Sequence, residues 1–190
     1  MSVKAIFVDK DGTLVENSPY DVEARSITLA SGAGDALRLL SELDYRVFIV
    51  ANQGGIARGA FPAATIDRVH HRIADLLFRE HVQLDGFYYC PHHPAGTMVQ
   101  YAQVCSCRKP QPGLLLQAAL EHDIDLPASW MIGDSLHDVE AGSRAGCRTI
   151  LLDTGNETEW RLGPHRVPTR IVYDLYTAAT VIALTDQETV

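Results

Sequence analysis

The sequence predicts an α/β protein, a doubly wound parallel sheet with helices on both faces. Two observations carry that prediction. Short apolar runs alternate with longer stretches whose apolar residues recur at helical spacing, and that alternation implies parallel strands covered on both sides. In addition, Asp9, Asn52, Cys90 and Asp134 each stand directly after an apolar run. Ligands collect in such sheets beyond the carboxyl ends of the strands, so these residues are predicted to share one edge.

Each element follows from its residues. Lys4–Val8, with its apolar run at Ala5, Ile6, Phe7 and Val8, reads as a first strand. Ala33, Ala36, Leu37, Leu40 and Leu43 recur on one helical face, predicting a helix over 32–44 behind a Ser31 cap. Residues 46–50 read as a buried second strand. Pro62 suits a helical first turn, and Ile66, Val69, Ile73, Leu76 and Leu77 carry that helix to Glu80. Residues 87–89 form a short third strand. Pro112 opens a helix through Leu120, 129–132 is a fourth strand, and 136–145 is a helix stopped by Gly146. A fifth strand over 148–152, a sixth near 171–172 and a last helix over 175–184 complete the pattern.

At 190 residues, 46% hydrophobic and 21% charged, the chain is expected to be one globular domain over 1–190. Sixteen basic against 24 acidic side chains leave a net charge of −8, which argues against nucleic acid as a partner. A small phosphorylated substrate remains compatible, because a local basic cluster can outweigh the global field. No stretch approaches the ~20 apolar residues needed to span a membrane. The N-terminus runs into a strand without signal-peptide architecture, so the cytoplasm is expected; a monomer is expected as well.

The run Asp9-Lys10-Asp11-Gly12-Thr13 carries the most chemistry. Strand side chains alternate faces, so Asp9 and Asp11 share a side if the chain stays extended one step further. Gly12 permits a sharp exit. One carboxylate is then available as nucleophile or metal ligand while the other handles a proton. A bare acidic pair is usually a solvated turn; five such residues after an apolar strand point to an active site. The run resembles the first motif of the haloacid dehalogenase superfamily of phosphotransferases. That resemblance implies Asp9 as nucleophile and Asp11 as general acid and base.

Asp134 supplies a third acid after a different strand. Mg²⁺ prefers oxygen ligands, and Asp9, the Asp11 carbonyl and Asp134 would suffice. Asp138 is either the second acid of the superfamily's GDxxxD motif or a first-turn acid favoured by the helix dipole. Lys109 resembles the superfamily's lysine that holds nucleophile and phosphoryl group together. One position departs from the pattern: Ala51 stands where the superfamily carries Thr or Ser, whose hydroxyl binds a phosphoryl oxygen.

A second constellation is Cys90-Pro91-His92 with Cys105-Ser106-Cys107, a C-x-H…C-x-C arrangement. Three sulfurs and one imidazole satisfy tetrahedral Zn²⁺, and four filled positions mean a structural metal. His93 is the rival imidazole, but the one-residue spacing favours His92. Cys147 lies outside the cluster and reads as a buried small hydrophobe. Pinning both ends of the intervening loop would fix Arg108 and Lys109 near Asp9.

DxDGT, Asn52–Gly59 (NQGGIARG), Tyr88–Pro94 (YYCPHHP), Cys105–Gly113 (CSCRKPQPG) and Met131–Asp134 (MIGD) occur in that order. Together they resemble the D-glycero-D-manno-heptose 1,7-bisphosphate phosphatases, on a branch shared with histidinol-phosphate phosphatases. The resemblance implies a Rossmann-like fold without a large cap domain, Mg²⁺ at the active site, Zn²⁺ in the loop and removal of a sugar C7 phosphate. It further implies that Asn17, Ser18, Pro19, Tyr20, Ala51, Asn52, Gln53, Gly54, Arg108, Lys109 and Ser135 line the substrate site. Ser135 stands where relatives often carry Lys. Arg58 carries over with the GIARG run as a candidate for the second phosphate. Histidinol-phosphate hydrolysis and a zinc-stabilised scaffold without turnover are the competing readings.

Overall fold

The computed structural model describes residues 3–16, 23, 25–161 and 163–187. Six parallel strands form one sheet: β1 (Lys4–Val8), β2 (Tyr45–Asn52), β3 (Leu84–Cys90), β4 (Trp130–Gly133), β5 (Arg148–Leu152) and β6 (Arg170–Val172), in the order β3-β2-β1-β4-β5-β6. The chain winds outward from β1 to β3, returns to the centre at β4 and winds the other way. The switch point between β1 and β4 therefore lies under Asp9 and Asp134.

Strand periodicity divides the core into two layers. Ile6 and Val8, Val47, Ile49 and Ala51, Trp130 and Ile132, and Ile150 and Leu152 face one side. There they meet α1 (Ala33–Glu42), α2 (Thr65–Arg79) and α5 (Leu175–Gln187) through Leu37, Leu40, Val69, Ile73, Ala178 and Ile182. Phe7, Phe48, Val50 and Met131 face the other side, against α3 (Gly113–His122) and α4 (Leu136–Ala145) through Leu114, Leu115, Ala118 and Ala141. The architecture is the doubly wound α/β sheet that the alternation predicted. Among the described residues no second sheet is inserted as a large cap.

Several boundaries differ from the sequence expectation for local reasons. Ser31 does not cap α1. Gly32 occupies that place at φ +74°, with no side-chain cap bond, and the Ala33 N–H donates to the Ala30 carbonyl instead. α2 starts at Thr65, because the turn beginning at Pro62 closes through Thr65 N–H to Pro62 O before the helix sets in. β3 is longer than its apolar centre: its pairing with β2 runs from Leu84 to Cys90, past Asp85 and Gly86, with an irregularity at Val47/Phe48. Asp85 earns its place there by accepting from the Val47 N–H and the Arg46 guanidinium.

α5 is tied to the amino-terminal edge of the sheet by Asp186. Its carboxylate accepts from Lys4 Nζ and from Tyr45 Oη, each at 3.0 Å. Tyr45 is buried, so losing its acceptor strands a hydroxyl. Asp186→Ala is expected to lower unfolding free energy by about 1–2 kcal/mol. Asp186→Asn, which keeps an acceptor for Tyr45, should lose less. Urea unfolding with unchanged slope checks both.

Candidate active site

Asp9 leaves β1 with its N–H donated to Ile132 O at 2.9 Å, which fixes its main chain to β4. The following turn closes through Leu14 N–H and Val15 N–H to Lys10 O. Gly12 sits inside it at φ +79°, and a Cβ there would lie 2.3 Å from Asp134 Oδ2 and 2.7 Å from Asn156 Nδ2. Glycine is thus required twice over, for the backbone and for the approach of Asp134. Gly133 serves Asp138 in the same way, since a Cβ would lie 2.3 Å from the Asp138 carboxyl carbon.

Lys109 is buried at the centre of this group. Its Nζ donates to Asp9 Oδ1 at 2.5 Å and Val50 O at 2.8 Å, and pairs with Asp138 Oδ1 at 2.6 Å. Three acceptors match the three N–H bonds of an ammonium. The Lys109 main chain is held separately: Asn52 Oδ1 accepts its N–H and Asn52 Nδ2 donates to its carbonyl, both at 3.0 Å. Asp138 completes a capping box, its Oδ2 accepting from the Ser135 N–H at 3.1 Å and Ser135 Oγ at 2.7 Å. Asp138 is thus a first-turn acid of α4 and also a partner of Lys109.

Asp11 is more open. Its side chain is 35% exposed against 12% for Asp9. Lys10 Nζ donates to one of its oxygens, and Gln53 Nε2 donates to the other at 3.2 Å. One carboxylate is sealed beside an ammonium and the other faces the mouth, an arrangement suited to separate nucleophilic and proton-transfer roles.

Charge is unbalanced here. Burial, with repulsion from Asp138, Asp134 and Asp11, pushes the Asp9 carboxyl up to about 8 despite Lys109. Asp134 rises to about 6 through burial and Asp138, against the Asn156 and Lys109 contacts. Burial opposes the charge on Lys109, yet Asp138 and Asp9 outweigh it and raise its pKa. Oxygens of Asp9, Asp134 and Asp138 lie within 4.8 Å of one another. Asp138 is committed to Lys109 and Ser135, so Asp9 and Asp134 are the carboxylates left for a cation. The excess of buried acid fits a divalent, oxygen-preferring ion.

Cys90 Sγ, Cys105 Sγ, Cys107 Sγ and His92 Nδ1 form a second cluster. Sulfurs stand 3.2–3.5 Å apart, and His92 Nδ1 is 3.4 Å from Cys107 Sγ and 3.7 Å from Cys90 Sγ. A tetrahedron built on ordinary zinc–sulfur and zinc–nitrogen bonds has edges of about 3.5–3.8 Å. The four residues fit such an ion. Burial and the Cys107 contact raise the Cys90 pKa, so a cation binding here would displace protons. Its surroundings connect to the acidic pocket: Cys90 O accepts the Gln53 N–H at 2.8 Å, and Cys107 leads into Arg108 and Lys109. Gly113 lets α3 start against this loop, where a Cβ would lie 2.3 Å from Ser106 O.

A basic rim adjoins both clusters. Arg108 Nη1 donates to His92 O at 3.1 Å, and Arg58 Nη2 lies 2.9 Å from His93 Nε2. Arg108 and His93 crowd Gly54, where a Cβ would lie 3.2 Å from Arg108 Nη1 and 3.4 Å from His93 Cδ2. The Ala95 N–H donates to His93 Nδ1 at 3.0 Å. His93 titrates below the ordinary histidine range because of burial and its Arg108 and Arg58 neighbours.

Of the residues expected at the site, Asp9, Asp11, Lys109, Asp134 and Gln53 converge, with Gly54, Arg58 and Arg108 beside them. Ala51 packs in the apolar layer under α1 and α2, leaving only its main chain for a ligand. Asn52 spends its amide on Lys109, and Ser135 spends its hydroxyl on Asp138. Asn17, Ser18, Pro19 and Tyr20 lie outside the described residues. Sequence reasoning missed Asn156, which donates to Asp134 Oδ2 at 2.7 Å, and Glu157, which accepts the Leu136 N–H at 2.6 Å. Their one available signal was position, in the loop after β5 at the carboxyl edge.

A HAD-hydrolase-like family model matches residues 106–178. D-glycero-beta-D-manno-heptose-1,7-bisphosphate 7-phosphatases from Salmonella typhi and Escherichia coli K12 are each 43% identical over 155 residues; these span 81% of this chain and 82% and 81% of those proteins. Among solved structures, the D,D-heptose 1,7-bisphosphate phosphatase from B. bronchiseptica, complexed with magnesium and phosphate, superposes with TM-score 0.81 at 29% identity. It covers 96% of this chain and 99% of that one. On that extent of similarity, the chain belongs to the haloacid dehalogenase-like hydrolases and, within them, to the D-glycero-beta-D-manno-heptose-1,7-bisphosphate 7-phosphatase family.

Proposed function

We propose that this chain, acting as one domain over 1–190 and as a cytoplasmic monomer, removes the C7 phosphate of D-glycero-D-manno-heptose 1,7-bisphosphate through an aspartyl-phosphate. The observation that carries the chemistry is Lys109, shared between Asp9 and Asp138 beside the more open Asp11. In the first step an Asp9 oxygen bonds to phosphorus as the bond from phosphorus to the sugar oxygen breaks. Asp11 gives the departing alkoxide its proton. Asp11 then takes a proton from water, whose oxygen attacks the phosphoryl group and releases Asp9 and inorganic phosphate. Lys109 holds Asp9 in place and offsets charge building on the phosphoryl oxygens. Mg²⁺ held by Asp9, Asp134 and the Asp11 carbonyl would supply the remaining positive charge. Zn²⁺ on Cys90, His92, Cys105 and Cys107 would hold the loop without touching phosphate.

The basic rim supports a bisphosphate over histidinol phosphate. The guanidinium groups of Arg58 and Arg108, both close to His93, bring two positive charges to this side of the pocket, which suits a second phosphate. The rim follows directly on Gln53, which touches Asp11, so one molecule with two phosphates would span both. A scaffold that has lost turnover has no use for a buried ammonium between two carboxylates.

Three outcomes are expected. Asp9→Asn should abolish turnover, and Asp11→Asn should reduce kcat by about 10²–10⁴-fold with substrate binding largely kept. Beryllofluoride trapping should place the adduct on Asp9; full activity of Asp9→Asn would refute the mechanism. For the rim, Arg58→Ala should lower kcat/KM on the bisphosphate by about 10–100-fold, from loss of a charged hydrogen bond. A monophosphate lacking the second anion should lose much less, and equal losses on both substrates would remove Arg58 from recognition. For zinc, elemental analysis should find about one ion per chain. None should remain in the Cys105→Ser/Cys107→Ser double variant, whose melting temperature should also fall; stoichiometric zinc there would overturn the ligand set.

A further inference from the structure

The loop after β5 reaches across the acidic pocket with two consecutive side chains. Asn156 Nδ2 donates to Asp134 Oδ2 at 2.7 Å. Glu157 Oε2 accepts the Leu136 N–H at 2.6 Å, while its Oε1 accepts the Glu159 N–H at 2.7 Å. Asp134 and Leu136 flank the Ser135 cap, so both ends of the junction between β4 and α4 are fastened to one short stretch of loop. Gly155 turns the chain at φ +85°, just ahead of Asn156. Asn156 also lies against the turn below, where a Cβ on Gly12 would come within 2.7 Å of its Nδ2.

We propose that Asn156 is a positioning residue for Asp134, fixing its carboxylate in the orientation that receives a divalent cation shared with Asp9. A carboxylate bonded at one oxygen cannot rotate freely about its Cβ–Cγ bond, so the other oxygen is held ready. The donor is a neutral amide. It restrains Asp134 without placing a positive charge that would compete with the cation. Glu157 restrains the donor in turn, by gripping the first N–H of α4. Partners of metal ligands commonly alter affinity by about 10–100-fold when removed. This inference rests on the reading that Asp9 and Asp134 hold the cation.

Direct Mn²⁺ binding, followed by electron paramagnetic resonance on the zinc-loaded full chain without substrate, tests it. Asn156→Leu keeps the volume and removes the donor. Its Mn²⁺ Kd should rise about tenfold, with zinc content and melting temperature close to those of the parent. If Asn156→Leu does not fold, Asn156→Ala takes its place in the same measurement. An unchanged Kd in the folded variant overturns the role of Asn156 while leaving the cation site standing. Failure of the parent protein to bind Mn²⁺ would overturn the cation reading itself, and the inference with it.

Discussion

A buried ammonium shared among Asp9, Asp138 and the Val50 carbonyl is the constraint on which this site depends. Taking an ammonium and two carboxylates out of water is costly, and buried pairs are tolerable only where geometry and further hydrogen bonds leave no proton or lone pair stranded. Lys109 meets that condition with all three N–H bonds. Its neighbours are arranged to keep it so: Asn52 clamps the main chain at the end of β2, Ser135 orients Asp138, and Gly133 makes room for that carboxylate. Segments from three loops are fixed relative to one charge. The strand ends supply the platform, and the ammonium locks what stands on it.

The cysteine–histidine cluster works at one remove from that lock. It joins the end of β3 to the segment just before Arg108 and Lys109, and its links run through the main chain, from Cys90 O to the Gln53 N–H and from His92 O to Arg108. The loop over 91–107 folds back on the turn at 54–59 through Thr97 and Met98 N–H bonds to Ala57 O. Few apolar side chains of that loop enter the sheet core. A metal bound by four side chains would replace the burial that a loop of this composition cannot provide for itself.

Much of this was legible in sequence, because strand periodicity, turn glycines and ligand spacing are local signals. Asp9 with Asp11 and the alternation of elements depend on neighbours only a few positions apart, and the cysteine–histidine cluster falls into two close pairs, 90 with 92 and 105 with 107. Contacts assigned by resemblance fared differently once their hydrogen bonds were visible. Asn52 and Ser135 stand at the expected edge, yet their polar atoms serve Lys109 and Asp138. Such commitments depend on residues 57 and 3 positions away and on which partner is buried. Asn156 left no signal in sequence beyond its position, being a loop asparagine after a left-handed glycine. Its partner, Asp134, is 22 positions away and adjacent only through the pairing of β4 with β5.

On the proposed function, the two charged regions would divide the recognition of a doubly phosphorylated sugar between them. The inner pocket holds more carboxylates than ammoniums, so in the proposed reaction a phosphate dianion would need a divalent cation to enter it. That requirement would link binding to the ion that also assists the chemistry. The rim at Arg58 and Arg108 would need no such mediator, because the two guanidinium groups carry their own positive charge. Against a chain of net charge −8, the rim is a local reversal of field next to the mouth of the pocket. A substrate with phosphates at both ends has a reason to enter in one direction. In the proposed reaction one end would meet guanidinium groups that make no bond to the reacting phosphorus, and the other would be delivered to Asp9, where a cation would offset its charge.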